Sequence, residues 1–144
     1  MALDPISLYE ALQKLPVFSA RHITSEVSTT STSYVTIVDS DVLINPKWFQ
    51  LQKLYLRFLA HLKNSTSGET TYARLYRQHA GTVVDGTEVS VTNTAYQIAD
   101  SGWVDITGEE GLESYQVQMK VSGGTGYCNS AILILSSKKL PLGN

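Results

Sequence analysis

Between Leu54 and Leu62 every second side chain is apolar: Leu54, Leu56, Phe58, Ala60 and Leu62 alternate with Tyr55, Arg57, Leu59 and His61. A period of two sends successive side chains to opposite faces of a pleated strand, so the pattern makes one face apolar. The same stretch also fits a helical template through Leu51, Leu54, Tyr55, Phe58, Leu59 and Leu62. The strand is preferred, because a helix leaves Leu56 on the wrong face. The chain also continues, after a polar turn from Asn64 to Glu69, into TTYARLYRQ. There the alternation is clean: Tyr72, Arg74, Tyr76 and Gln78 share one face, and Thr71, Ala73, Leu75 and Arg77 the other. Residues Lys53–Gln78 are expected to form the central hairpin, with Leu54, Leu56, Phe58 and Leu62 inward and Tyr72, Arg74 and Tyr76 outward. Leu59 is the exception to the alternation.

The rest of the chain keeps the same period. Phe18–Val27 reads as a weak strand and Ser28–Ser33 as a loop or flexible strand entry. Tyr34–Ile44 is rich in β-branched residues, is divided by a bulge or turn at Asp39-Ser40-Asp41, and is closed by Asn45-Pro46. In HAGTVVDGTEVSVT, Asp85-Gly86 predicts a tight hairpin turn between two short strands. Two more short strands flank Asp100-Ser101-Gly102, and Gly108–Glu113 reads as an exposed acidic turn. Tyr115–Val121 is a half-buried strand, residues 123–126 a flexible glycine loop, and Ala131–Leu135 an apolar run suited to a central strand. About eight short, regularly spaced strands predict an all-β, antiparallel, jelly-roll-like β-sandwich.

Only the amino terminus reads as a helix. Asp4 is an N-cap, Pro5 occupies the first helical position, Leu8, Leu12 and Leu15 form a stripe, and Pro16 stops it. Twelve residues with one stripe are marginal alone and need a surface, on the same sandwich or on a neighbouring subunit. The expected organisation is a helical arm over 1–17, a sandwich over 18–137 and a tail over 138–144.

The composition argues against several function classes. Eleven basic and thirteen acidic residues give a net charge of -2, which makes nucleic acid an unlikely partner. No apolar run is long enough for a membrane span, and MALDPISLYEALQKLPVF lacks the basic n-region of a secretory signal. The expected location is a virion if the protein is viral, and otherwise the cytoplasm. The single cysteine, Cys128, abuts an apolar strand and reads as a buried structural thiol. His22, His61 and His79 have no metal-ligand spacing, and Asp39, Asp41, Asp100 and Asp105 no calcium-loop pattern. The GGTG cluster lacks the strand-then-helix context of a phosphate loop. No catalytic, cofactor or metal residue is expected, and the protein is not expected to be an enzyme. Asn64-Ser65-Thr66 is a formal glycosylation sequon placed there by chance.

The row Tyr72, Arg74, Tyr76 is more informative. Such rows serve as interface hot spots or as stacking platforms for sugars and nucleic acids. Equally, they form sheet faces on which arginine covers tyrosine. Trp103 is the candidate ligand-stacking residue.

From Thr29 to Ser137 the succession of TTSTSYVTI, LYLRFLAHL, TTYARLYRQ, SGWVDITG and YQVQMKVSGG, closed by an apolar strand, resembles the small jelly-roll-type β-sandwich structural proteins of virus and phage particles. The resemblance lies in strands and turns. It implies a non-enzymatic particle or capsid component that joins copies of itself and other particle proteins through edge strands, terminal arms and sheet faces. Leu8, Leu12, Leu15, Tyr72, Arg74 and Tyr76 are the expected contacts. The other class is a carbohydrate- or receptor-binding module stacking a glycan on Trp103, Tyr72 and Tyr76.

Overall fold

The computed structural model describes residues 17–139; the expected helix Asp4–Leu15, with its leucine stripe, lies outside them. The described chain runs through β1 (Phe18–Ile23), β2 (Val27–Thr29), β3 (Val35–Thr36), β4 (Val42–Ile44), a 3-10 turn (Pro46–Phe49), β5 (Tyr55–Asn64), β6 (Thr71–Arg77), β7 (Thr82–Val83), β8 (Val89–Val91), β9 (Gln97–Asp105), β10 (Glu113–Val121) and β11 (Gly126–Ser136). All pairings are antiparallel. In the first sheet, β1 and β2 lie end to end along β11, followed by β5 and β9. In the second, β3 and β4 lie end to end along β10, followed by β6, which carries β7 and β8 on its far side. The eleven segments therefore fill eight strand positions, four in each sheet.

Alternation accounts for the layering. Leu56, Phe58, Ala60 and Leu62 of β5 face Ala73 and Leu75 of β6 and Tyr115, Val117 and Met119 of β10, and Ala131, Leu133 and Leu135 complete the core. The strand reading of 51–62 holds from Tyr55 onward, with the expected residues inward. Tyr115–Val121 and Ala131–Leu135 also fall in strands, the latter in a strand paired on both sides.

The expected hairpin is not formed. β5 pairs with β11 and β9, whereas β6 pairs with β10, β7 and β8, so residues 64–70 form an arch from one sheet to the other. Asp85-Gly86 likewise does not close a hairpin. β7 and β8 run along the same edge of β6, and the buried Thr87 hydroxyl fills the gap by accepting the Leu75 amide at 3.1 Å. The segments around Asp100-Ser101-Gly102 are one strand, β9, interrupted by a bulge at which Gly102 takes φ 71°. The acidic turn is only partly exposed. Glu113 is buried and accepts the amides of His79, Ala80 and Ser114, while Glu109 pairs with Arg77. The Asp39–Asp41 divide is a break between β3 and β4, with Asp39 at φ 63°.

Candidate functional site

All three types of strand junction in the first sheet's main path contain a bulge. Register shifts occur at His22 in β1, at Asn129 in β11 and across Ser101-Gly102 in β9; the pairings of the second sheet run without shifts. Each extra residue bends its strand and raises the local twist. The bulges are tied down locally. The Phe58 amide donates to the Ser101 hydroxyl at 2.9 Å, and His61 Nδ1 donates to Asn129 Oδ1 at 2.7 Å.

Among these bulges the outer face of the first sheet holds a groove of about 300 Å³, lined by Arg21, Leu59, His61, Ile98, Ser130 and Ile132. Register explains its apolar centre: Leu59 stands opposite Ile132 on one side and Asp100 on the other, and His61 opposite Ile98 and Ser130. Ile98 is 71% exposed. Above and below lie charged and aromatic groups. Arg57 makes a bidentate pair with Asp100, whose carboxyl this hydrogen bond holds below the usual carboxylate range, and its guanidinium sits 5.7 Å from the centre of the Trp103 ring. At the other end Lys63 lies over Tyr96 and Tyr127, and His61 stacks on Tyr96 at 4.8 Å.

The outer face of the second sheet carries Tyr72, Arg74 and Tyr76, as the alternation requires. It is filled by its own side chains. Tyr34 reaches across it, with its hydroxyl on Glu88 at 2.6 Å and its ring 3.7 Å from the Arg74 guanidinium carbon. Burial and the Glu88 bond push the Tyr34 phenol well above its usual pKa. Arg74 also donates to Gln118, and Lys120 lies over both Tyr34 and Tyr72. Arg74 therefore covers tyrosine within the sheet face. Trp103, on the other sheet, is remote from this row, so the three residues grouped for glycan stacking do not share a face.

The groove residues Leu59, Ile98, Ile132 and Arg21 were not singled out by sequence reasoning. Their trace was there: Leu59 breaks the alternation, and the unbroken Ala131–Leu135 run must place Ile132 on the outer face. Cys128 is buried, its thiol donates to the Ser130 carbonyl at 3.3 Å, and burial pushes its pKa up to about 11. Native protein at pH 8 is expected to leave a thiol reagent unconsumed, with one equivalent reacting once denaturant is added. Among the described residues no three His, Cys, Asp or Glu side chains gather to hold a metal, and no helix is long and apolar enough to cross a membrane.

No protein-family model and no curated protein matches the sequence. Solved structures do match the fold. The VP2 subviral particle of infectious bursal disease virus aligns over 94% of this chain at TM-score 0.55 and 13% identity. An icosahedral particle structure of the same virus aligns over 94% at TM-score 0.56 and 11% identity. The chain covers only 36% and 35% of those proteins, about a third of their length. The C-terminal CBM6 of a marine laminarinase from Zobellia galactanivorans aligns over 82% of this chain and 98% of its own, at TM-score 0.46 and 15% identity. At such identities the likeness is one of fold. It agrees with the resemblance to virus-particle β-sandwich proteins.

Proposed function

We propose that this chain is a non-enzymatic structural subunit that self-assembles, as a component of a virus-type particle. The observation that carries the reading is the aliphatic centre of the first sheet's outer face, Leu59, Ile98 and Ile132, on a surface that a solitary sandwich keeps polar. Two features support it. The strand order fits a jelly roll, an architecture used in viral capsids and in lectins. The net charge of -2 leaves little repulsion between copies.

Sheet faces rather than edges would make the contacts. Three of the four edge positions are broken into short segments, β1/β2, β3/β4 and β7/β8, and the fourth, β9, is bulged at Gly102. Such edges are poor templates for pairing with another chain. Glycan binding is less well supported: Trp103, Tyr34, Tyr55, Tyr72, Tyr96 and Tyr127 each have a cation of this chain over the ring, and the groove floor is aliphatic.

Sedimentation equilibrium of the full chain tests the proposal. A discrete multiple of 15.8 kDa is expected, with Ile98→Glu weakening association at least about tenfold, since it places a charge in an apolar contact. A monomer at every accessible concentration that is retarded on a glycan column would overturn it.

A further inference from the structure

The two ends of the described chain meet at one groove. Val17, just before β1, and Ser136 and Ser137, at the end of β11, line a cavity of about 370 Å³ at one end of the sandwich. Its apolar wall is built from Phe18, Trp48, Phe49, Leu51 and Leu135. The Phe18 and Phe49 rings meet at 4.7 Å, and Phe49 packs on the core. Trp48 and Leu51 instead remain 67% and 47% exposed.

This wall is fixed before anything binds. Asn45 caps the 3-10 turn, accepting the Lys47 amide at 3.0 Å, and Pro46 occupies its first turn. The same Asn45 oxygen accepts the Gly111 amide at 3.1 Å, which ties the turn to the loop before β10. A tryptophan held out on a capped turn beside an apolar hollow is a preorganised anchor point.

We propose that this groove receives the Leu8, Leu12 and Leu15 stripe of a second copy of the chain. The proposal rests on the self-assembly reading above and names the partner segment and its receptor. Sixteen residues precede Val17, and the twelve from Asp4 to Leu15 carry one leucine stripe that needs an apolar surface. They join the chain at the rim of such a surface. Leu8 and Leu15 lie about 10 Å apart along a helix. Only Pro16 separates Leu15 from Val17, itself part of the groove wall. With so short a link, the stripe would have to fold straight back on Pro16 to lie in the groove of its own chain. An arm from another copy has no such restriction, and exchange gives each copy one arm and one groove.

Trans-complementation in full-length protein tests this. One variant loses the arm stripe (Leu8→Glu with Leu12→Glu), the other the groove (Leu51→Glu); each is expected to weaken association at least tenfold by sedimentation. Mixed in equal amounts they are expected to associate more tightly than either alone, because one intact arm then meets one intact groove. No recovery on mixing would overturn the inference, as would Trp48 emission that responds to the arm variant in a monomer, the mark of docking within one chain. An arm variant that assembles normally while Ile98→Glu does not would sink this inference and leave the sheet-face reading standing. Loss of assembly on removing residues 140–144, with the arm variant unaffected, would assign the groove to the carboxyl tail and overturn it too.

Discussion

Asn64→Leu is expected to lower the free energy of unfolding by about 3 kcal/mol, read as a fall in the urea midpoint at unchanged slope. Asn64 is the last residue of β5 and has no exposed surface. Its amide nitrogen donates to the Thr71 hydroxyl at 3.1 Å and to the Gly123 carbonyl at 3.0 Å, and its side-chain oxygen accepts the Thr66 amide at 2.9 Å. Its backbone amide donates to Asn93. One side chain thus joins the 64–70 arch to the turn before β11. Leucine has the same branched shape, so the packing is kept, but it strands a backbone donor and a backbone acceptor and leaves the Thr71 hydroxyl only its bond to the Lys63 carbonyl. Each stranded group costs about 1–3 kcal/mol where water cannot reach it. A loss below about 1 kcal/mol would show that water enters this corner and that the arch is held otherwise.

The same residue shows what a period of two can and cannot convey. The alternation in Leu54–Leu62 and Thr71–Gln78 correctly assigns faces, because burial of every second side chain is local to each strand. Which strand pairs with which depends on the path of the linker. Residues 64–70 read as the polar turn of a hairpin because they are short and hydroxyl-rich, and nothing in that composition distinguishes a hairpin from an arch. The distinguishing feature is Asn64 itself, whose partners Gly123 and Asn93 lie far along the chain. Its burial also denies the Asn64-Ser65-Thr66 sequon an accessible acceptor. Asp85-Gly86 misleads for the same reason. Gly86 has the positive φ that the pair favours, 88°, but β7 and β8 both find a better partner in β6.

The candidate site was legible only as an anomaly. Leu59 interrupts an otherwise regular strand, and Ile132 sits in a run apolar on both faces. Each implies an outer surface that is not simply solvated. That the two are neighbours follows from the Leu59–Ile132 register, and their concave setting follows from bulges at His22, Asn129 and Gly102. The Tyr72, Arg74, Tyr76 row was visible, but Tyr34, which closes over Arg74, comes from a distant loop that strand periodicity cannot position.

The second large effect is an acid weakness set by His22, the bulged residue of β1. It is 5% exposed; Nδ1 donates to the Ser40 carbonyl at 2.6 Å, while Nε2 is buried without a partner and the ring meets Phe58 edge-on at 6.2 Å. Ser40 continues the link, because its hydroxyl accepts the Val117 amide of β10. Burial lowers the His22 pKa to about 4, against smaller opposing effects from the Ser40 carbonyl and the Asp41 charge. The unfolded chain binds this proton near pH 6.5, so between pH 6.5 and 4 it holds more protons than the folded one, and stability falls as pH falls. The full effect is about 3 kcal/mol, with about 2 lost by pH 5, where most carboxylates are still ionised. Urea titrations at pH 7, 6 and 5 should show this slope in the wild type. His22→Gln keeps a donor for Ser40 but cannot be protonated, so it should flatten the slope at some cost at pH 7. An unchanged slope would mean that another group carries the acid sensitivity and that His22 opens to solvent before it is protonated.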